Sequence, residues 1–355
     1  MKLGIIGLPQ AGKTTVFNAL TRGNRPTSMS GGRVEVHTAV VDVPDPRVDV
    51  LSGMFKPKKT TYAKVTYADI AGLEGNASGN ISGPLLNQLS QMDGFIHVVR
   101  CFEDQSVPHS LSSLDPQRDL EIMEGEFLLN DMIVVERKLE KLADERKRGG
   151  LGRDKAEMAR ETELFERLQV ILGEDTPLRQ VELTPDELKM ISGFGFLSNK
   201  ALLIVPNLGE GQPEPPISAP NTASVIALQG RLEMEIAQLA PEDAELFMSE
   251  YNITEPSLNR MIRTSYDLMK LQSFFTVGDD EVRAWTIQQG TPAPEAAGTI
   301  HSDLQKGFIR AEVVAYDELI ALGGMVEARA KGRLRLEGKE YIVKDGDIMH
   351  VRFNV

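Results

Sequence analysis

The first fifteen residues carry a spacing of side chains that can bind phosphate. Residues 7–14 read Gly-Leu-Pro-Gln-Ala-Gly-Lys-Thr and satisfy the pattern G-x-x-x-x-G-K-[ST]. The glycines allow a tight loop whose backbone N–H groups point inward, the lysine charge suits the β- and γ-phosphates, and a threonine hydroxyl can ligate Mg²⁺. The pattern predicts a nucleotide site contacted by Gln10, Ala11, Gly12, Lys13, Thr14 and Thr15.

A second acidic element follows a predicted strand. Residues 63–69 alternate apolar and polar side chains, and the strand ends in the sequence D-x-x-G at Asp69 and Gly72. This placement brings the Asp69 carboxylate near the metal and leaves the Gly72 N–H to sense a γ-phosphate. The next residue is Leu73, where Ras-type GTPases have the Gln that orients the attacking water. Hydrolysis therefore requires another group to position the water.

Two further apolar runs, 95–101 and 201–205, are typical of parallel strands that are covered on both faces. Ligands of open α/β sheets bind beyond the carboxyl ends of such strands, where Asn207, Leu208 and Glu210 follow the second run. The GTPase pattern at this point is N-K-x-D, whose Asp accepts from guanine. Because Glu210 is one methylene longer than Asp, strict guanine selection is not expected.

The elements that position these residues include a predicted helical hairpin. Apolar residues recur at helical spacing from 118 to 170, with an interruption at the glycines of 149–152. Residues 137–160 contain nine Lys and Arg against five Asp and Glu, although the whole chain has a net charge of −13. This local positive charge is either a solvated helix face or a surface that contacts RNA.

From residue 274 the pattern changes to short strands and turns. Strands are predicted at 282–287, 307–314, 333–336, 341–343 and 348–353, with a helix at 316–322. Residues 273–355 contain ten Lys and Arg against thirteen Asp and Glu, so charge predicts no general affinity for nucleic acid here. The segment is interpreted as a partner-binding or regulatory module.

Several longer motifs resemble the YchF subfamily of Obg-related P-loop NTPases. They are GLPQAGKTT at 7–15, VPDPR at 43–47, DIAGL at 69–73, HVVRCFED at 97–104, N-x-x-E at 207–210, EVRAWTI at 281–287, AAGTIHSD at 296–303, KGFIRAEV at 306–313 and DGDIMHVRFNV at 345–355. The resemblance covers essentially the whole chain. Its C-terminal motifs are very specific.

The resemblance implies an α/β fold in three parts. These are a P-loop NTPase G domain with a parallel-sheet core (1–118 and 193–272), an inserted antiparallel helical coiled-coil hairpin (119–192) and a C-terminal TGS domain of ubiquitin-like α+β fold (273–355). It also implies Mg²⁺-dependent hydrolysis of ATP, and of GTP, as a slow switch. By the same resemblance, the base is expected to lie against Leu208, and the ribosome or ribosomal RNA is the expected partner. His109, in the loop after 97–104, matches the histidine that stands in for the missing Gln.

The chain also departs from the family pattern in switch I. Alignment on Val40 and Val41 places Arg33 where the family has a threonine that ligates Mg²⁺, and Thr38 lies five residues later. The glycine-rich switch II is altered over 74–84. These departures leave a second hypothesis open, a non-hydrolysing nucleotide-binding scaffold or regulator. A third hypothesis is a structural coiled-coil protein with a vestigial P-loop.

Composition limits the remaining classes of function. The 355 residues are 41% hydrophobic and 26% charged, as in globular proteins. One cysteine, Cys101, excludes an intrachain disulfide and is typical of a reducing, cytoplasmic setting. The longest apolar stretches are shorter than the roughly 18 residues that cross a bilayer. The acidic balance argues against a general polyanion binder, so neither a membrane nor DNA is expected as a partner.

Overall fold

The secondary structure alternates strands and helices through most of the chain. The computed structural model describes residues 1–25, 36–70, 81–109, 111–148, 153–219, 223–251 and 253–354. The strands are β1 (Lys2–Ile6), β2 (Val36–Asp42), β3 (Lys59–Thr61), β4 (Lys64–Ile70), β5 (Gly94–Arg100), β6 (Ala201–Asn207), β7 (Ser224–Val225), β8 (Leu271–Thr276), β9 (Glu281–Gln288), β10 (Phe308–Ala315), β11 (Arg335–Glu337) and β12 (Asp347–Phe353). The helices are α1 (Lys13–Thr21), α2 (Pro46–Phe55), α3 (Gly83–Ser90), α4 (Pro116–Lys147), α5 (Lys155–Gly173), α6 (Pro185–Ile191), α7 (Gly230–Gln238), α8 (Pro241–Glu250), α9 (Ser257–Leu268), α10 (Ala293–Ile300), α11 (Ser302–Lys306), α12 (Tyr316–Leu322) and α13 (Met325–Ala330).

The chain forms two compact units, each built from two separate stretches of sequence. Met1–Ala39 and Thr66–Leu258 form the first unit, and Val40–Val65 and Asn259–Val355 form the second. The second unit thus takes an internal stretch that the sequence analysis groups with the G domain. The three-domain division predicted from the motifs is a separate division of the chain and stays a prediction.

A sheet with a parallel core organises the first unit. Its strand order is β2-β4-β1-β5-β6-β7, and β1 pairs in parallel with both β4 and β5. In the register, Ile5 lies opposite Asp69 and Arg100 lies opposite Asn207. The carboxyl ends of β1, β4, β5 and β6 therefore meet at one edge, as predicted. The α/β fold class with a parallel-sheet core is confirmed.

The core of the first unit lies where α3 and α4 pack on the sheet. The strand β5 is buried along its whole length, which agrees with its continuous apolar run. The ring of Phe95 on this strand lies 5.1 Å, centroid to centroid, from the ring of Phe127 on α4. Both side chains are fully buried, and each such burial stabilises the fold by about 1.5–3 kcal/mol.

The predicted helical hairpin is confirmed as the pair α4 and α5. Each helix starts with an aspartate cap: Asp115 accepts from the Arg118 N–H, and Asp154 accepts from the Ala156 N–H. The two helices enclose a core of their own, with Leu128, Val135, Leu164, Phe165, Leu168 and Leu172. Asp131 of α4 is fully buried and accepts two backbone N–H groups, from Leu197 at 2.9 Å and Ser198 at 2.7 Å.

The second unit contains a mixed sheet in the order β11-β10-β12-β8-β9-β3. Its core forms around Phe274, Ile287, Ala297, Phe308 and Val313. The strand predicted at 341–343 is wrong, because only Ile342 forms a bridge there, to Pro292. The helices α10 and α13 were not predicted, since their apolar residues are mostly alanines with weak periodicity. No helix in the described ranges combines the length and the hydropathy that a bilayer crossing requires.

Candidate functional site

The phosphate loop lies between β1 and α1 and depends on two glycines. Gly7 has φ 145° and Gly12 has φ 95°, conformations that side chains rarely adopt. A Cβ on Gly7 would lie 2.3 Å from the Val98 carbonyl oxygen, and a Cβ on Gly12 would lie 2.2 Å from the Asn207 Nδ2. No side chain of the described residues caps the N-terminus of α1, and its first turn contains no acidic residue. The backbone N–H groups at this terminus are suited to an anion.

Gln10 lies at the strained point of the loop. Its φ is 62°, in the left-handed region that non-glycine residues seldom occupy. Its side-chain oxygen is buried and has no hydrogen-bond partner among the described residues. Its neighbour Ala11 is buried, and Thr15 is half-buried at the start of α1. Strain and an unsatisfied polar atom at one residue are features that cluster at ligand sites.

Lys13 folds back over the loop that precedes it. Its Nζ donates to the carbonyl oxygens of Gly7 and Leu8, both at 3.0 Å. Burial lowers the pKa of Lys13 to about 8, and the charge of Asp69 opposes this shift. The ammonium group is thus fixed in place and poorly solvated, and the negative charge of a phosphate would favour its protonated form.

Thr14 and Asp69, the two predicted Mg²⁺ ligands, are in hydrogen-bond contact with each other. The Thr14 Oγ1 donates to the Asp69 Oδ2 at 2.9 Å. The second carboxylate oxygen, Oδ1, is buried without a hydrogen-bond partner among the described residues. Burial raises the pKa of Asp69, against the opposing effects of the Thr14 hydrogen bond and the Lys13 charge. A hydroxyl beside a carboxylate oxygen without a donor fits the oxygen ligands that Mg²⁺ takes.

Asn207 connects the end of β6 to the phosphate loop. Its Nδ2 donates to the Ala11 carbonyl at 3.0 Å, and its Oδ1 accepts from the Gly230 N–H at 2.9 Å. The side chain is buried and uses both of its polar atoms in these contacts. Its observed contacts therefore position the loop and the start of α7. Contact with the base stays a prediction for this residue.

Leu208 and Glu210, the other two residues predicted to contact the base, come soon after Asn207 in the chain. Leu208 is half-buried, and its N–H donates to the Leu228 carbonyl, while Glu210 is exposed on the loop. Sequence reasoning missed Gln212, whose Nε2 donates to the Cys101 carbonyl at 2.6 Å and whose Oε1 accepts from the Gly209 N–H. These bonds tie the loop after β6 to the end of β5.

Phe102 was also missed, although its position directly after β5 could have indicated it. A Cβ on Gly12 would lie 3.9 Å from the Phe102 ring, and a Cβ on Gly209 would lie 3.5 Å from its Cβ. The Arg100 guanidinium lies 4.5 Å from the centre of the Phe102 ring. Phe102 therefore lies between the phosphate loop and the loop after β6.

His109 lies in the segment between β5 and α4. Its Nε2 is 2.8 Å from the Asp119 Oδ2, and its Nδ1 accepts from the Leu111 N–H at 3.0 Å. Only 9% of the His109 side chain and 3% of the Asp119 side chain are exposed. The structure thus joins this histidine to the first turn of α4, a partner that the sequence analysis did not identify.

Three residues of the sequence argument lie outside the described ranges. They are Arg33 of switch I, and Gly72 and Leu73 after β4. The predicted role of Gly72 stays a prediction.

Two buried groups near the strands are held in their neutral forms. Burial raises the pKa of the Cys101 thiol to about 12, and its Sγ contacts the Val99 carbonyl oxygen at 3.6 Å. Burial also lowers the pKa of His97 to about 3. Both residues are buried and belong to the run 95–101, which the sequence analysis predicts to be a strand covered on both faces.

The strand–loop–helix, the fixed lysine and the Thr14–Asp69 pair define a P-loop nucleotide-binding protein. Residues 2–138 match a family profile described as a 50S ribosome-binding GTPase. Residues 271–354 match the C-terminal profile of the YchF GTPases, which is described as a protein of unknown function. The two profiles agree with the resemblance drawn from the motifs.

Whole-chain comparisons reach the same family. The ribosome-binding ATPase YchF of Bacillus subtilis is 38% identical over 366 residues, covering 99% of this chain and 99% of the relative. That of Haemophilus influenzae is 40% identical over 365 residues, covering 100% of this chain and 99% of the relative. The solved YchF GTPase of Schizosaccharomyces pombe matches with a TM-score of 0.83 and 31% identity, over 99% of this chain and 97% of that one. The chain belongs to the YchF family.

Proposed function

We propose that this protein is a Mg²⁺-dependent P-loop nucleoside triphosphatase that hydrolyses ATP, and also GTP, as a slow switch on the ribosome in the cytoplasm. The carrying observation is the arrangement of Lys13, Thr14 and Asp69 around one loop. A buried ammonium with a lowered pKa lies beside a buried carboxylate with a raised pKa. Bound phosphates would supply negative charge near the Lys13 ammonium, and a bound metal ion would supply positive charge near the Asp69 carboxylate.

Each residue has a role that follows from its position. The backbone N–H groups at the start of α1 and the Lys13 ammonium bind and orient the phosphates. Thr14 and Asp69 would hold Mg²⁺, Asp69 directly or through water, and the bound ion would neutralise charge on the β- and γ-oxygens. Gly72 would sense the γ-phosphate, and His109 would position the attacking water. Asn207, Leu208 and Glu210 are proposed to surround the base.

The test of this function is single-turnover hydrolysis of ATP and GTP, with and without Mg²⁺ and ribosomes. We expect Mg²⁺-dependent phosphate release in the wild type, and at least about a hundredfold loss of nucleotide affinity in Lys13→Ala, because its charge contacts the phosphates. Lys189→Ala is the matched control, since this exposed lysine of α6 lies away from the site. Unchanged affinity in Lys13→Ala would overturn the proposal.

Base preference has its own test at Glu210. The guanine-binding pattern places an Asp at this position, so Glu210→Asp shortens the carboxylate by one methylene. We expect the ratio of GTP to ATP affinity to rise several-fold in isothermal titrations with both triphosphates and both diphosphates. A ratio that stays constant would show that Glu210 does not contact the base.

The ribosome contact is proposed for the basic part of the helical hairpin. Arg137 and Lys141 are exposed on α4 and line an open pocket of about 310 Å³ with Val134, Lys138 and Phe194. Lys138 forms an ion pair with Glu161, in which Nζ lies 2.6 Å from the carboxylate Oε1. The same Nζ lies 5.6 Å from the centre of the Phe194 ring. Basic side chains around a half-buried aromatic ring at the surface favour a single-stranded RNA segment.

This contact is tested by reversing charge. We expect Arg137→Glu with Lys141→Glu to weaken ribosome binding and to flatten its dependence on salt. Lys331→Glu with Lys339→Glu makes the same change in charge on exposed residues of the second unit and is expected to leave binding unchanged. Equal losses in both double variants would indicate a general charge effect instead.

A second candidate function is a nucleotide-binding scaffold that does not hydrolyse. One observation favours it, since both ring nitrogens of His109 are already hydrogen-bonded. This candidate predicts normal nucleotide affinity without phosphate release under any condition, with or without ribosomes. The hydrolysis assay above separates the two functions.

A further inference from the structure

The two hydrogen bonds of His109 determine where its proton lies. The Leu111 N–H donates to Nδ1 at 3.0 Å, so Nδ1 is an acceptor without a proton. In the neutral ring the proton is then on Nε2, which donates to the Asp119 Oδ2 at 2.8 Å. Because both side chains are largely buried, water does not replace either bond easily.

A histidine in this state can neither accept nor donate a further proton. A group that activates water needs a free lone pair, and a group that donates to a phosphate needs a free N–H. The lone pair of Nδ1 is directed to Leu111, and the N–H of Nε2 is directed to Asp119. At least one of the two bonds must break before His109 can contribute to hydrolysis.

Asp119 is itself held firmly on the first turn of α4. The Arg118 guanidinium donates to the Asp119 Oδ1 from Nε at 3.2 Å and from Nη2 at 2.8 Å. The same guanidinium donates to the Ser113 Oγ and carbonyl oxygen, both at 2.8 Å. At the other end of this segment, Arg100 donates to the Val107 carbonyl at 2.6 Å. The segment between β5 and α4 is thus fastened on both sides of His109.

We propose that Asp119 is a positioning residue that locks His109 in an inactive orientation, and that hydrolysis requires this lock to open. The inference rests on the proposed role of His109 in hydrolysis. Such a lock would keep basal hydrolysis slow without any defect in nucleotide binding. It also places the control of turnover on the helix that carries the proposed ribosome contact.

The length of α4 connects the lock to that surface. At 1.5 Å per residue, Asp119 and Lys141 are about 33 Å apart along one continuous helix. An RNA partner that displaces α4 acts on the same element that holds the Asp119 carboxylate. We therefore expect ribosomes to stimulate hydrolysis by opening the lock.

The test is the rate of single-turnover ATP hydrolysis in Asp119→Asn. An amide is a weaker acceptor than a carboxylate, and a hydrogen bond to a charged group changes an equilibrium by roughly tenfold or more. We expect the basal rate to rise about tenfold, and stimulation by ribosomes to shrink by the same factor.

Two controls isolate the lock. Glu121→Gln makes the same change from carboxylate to amide on the same helix. Glu121 is exposed and accepts from the Gln117 Nε2 at 2.9 Å, and the rate of this variant should stay at the wild-type value. His109→Ala with Asp119→Asn should fall to the rate of His109→Ala alone. If Asp119→Asn does not fold, Leu111→Pro tests the other bond, since it removes the N–H that donates to Nδ1 and should raise the rate several-fold.

Failure of the proposed lock and failure of the proposed role of His109 give different results. A basal rate in folded Asp119→Asn at or below that of the wild type, with His109→Ala inactive, would overturn the lock and keep the role of His109. A His109→Ala variant that hydrolyses as fast as the wild type, with and without ribosomes, would overturn the role of His109 itself.

Discussion

The side-chain nitrogen of Asn207 occupies the space that a Cβ on Gly12 would require. The distance from that Cβ position to Nδ2 would be 2.2 Å, well inside van der Waals contact. The same nitrogen donates to the Ala11 carbonyl at 3.0 Å, so it cannot move without losing this bond. The phosphate loop and the end of β6 are therefore fitted to each other through one glycine and one amide.

Gly12→Ala is expected to weaken ATP binding by tenfold to a hundredfold in isothermal titration. The added Cβ displaces Asn207 and also strains a backbone with φ 95°. Gly125→Ala is the matched control, because Gly125 is exposed within α4 and a Cβ there meets nothing within 4 Å. That change should raise the free energy of unfolding by about 0.5–1 kcal/mol and leave affinity unchanged. Equal affinity in both variants would contradict the fit described above.

Asp69→Asn should abolish the contribution of Mg²⁺ to nucleotide binding. The amide keeps the size of the side chain, but it removes the negative charge next to Thr14. We expect the ATP affinity of this variant to be the same with Mg²⁺ and with a chelator, when both are measured by titration. Asp186→Asn, on the exposed first turn of α6, should retain the full effect of Mg²⁺. A normal Mg²⁺ effect in Asp69→Asn would exclude Asp69 as a ligand.

His97 should make the protein less stable as the pH falls. Its pKa is about 3 when folded, against 6.5 as its ordinary value, so the unfolded chain binds a proton that the folded chain excludes between these limits. The contribution of neutral His97 to the free energy of unfolding is fully present well above pH 6.5. It decreases at lower pH, by about 2 kcal/mol at pH 5. Urea unfolding at pH 7.5 and pH 5 should show a smaller difference for His97→Leu than for the wild type. The same difference in both proteins would assign the pH effect to other groups.

Cys101 should resist thiol reagents in the folded protein. With a pKa of about 12, roughly one thiol in ten thousand is ionised at pH 8, and the side chain is buried. One equivalent should react after denaturation and much less than one in the native state over the same time. Rapid native labelling would show that the end of β5 opens to solvent.

The part of the site that is local in sequence could be predicted from it. The loop from Gly7 to Thr14 has a fixed pattern, and Asp69 follows an alternating strand, so spacing alone indicates their chemistry. The topology rule that gathers strand ends at one sheet edge then placed Asn207 close to the loop. The structure agrees in each of these placements.

The pairings across long stretches of chain could not be predicted. The contact of Asp131 with the N–H groups of Leu197 and Ser198 joins a helix to a loop more than sixty residues away, and a buried aspartate looks like any other helix charge in the sequence. The Asp119 contact to His109 is closer in sequence but depends on how the preceding segment turns back on α4. Hydrophobic spacing describes which face of a helix is buried, and it does not identify the partner of a polar side chain.

The short strand β3 has a consequence for dividing this protein into fragments. Lys59, Thr60 and Thr61 pair in parallel with Glu281, Val282 and Arg283, so they cover the outer side of β9. A fragment that starts at residue 259 lacks these residues and leaves β9 as a bare edge strand. Open strand edges template association between copies, which favours aggregation of such a fragment. A soluble C-terminal piece therefore needs residues 40–65 joined back to it, for example through a circularly permuted gene.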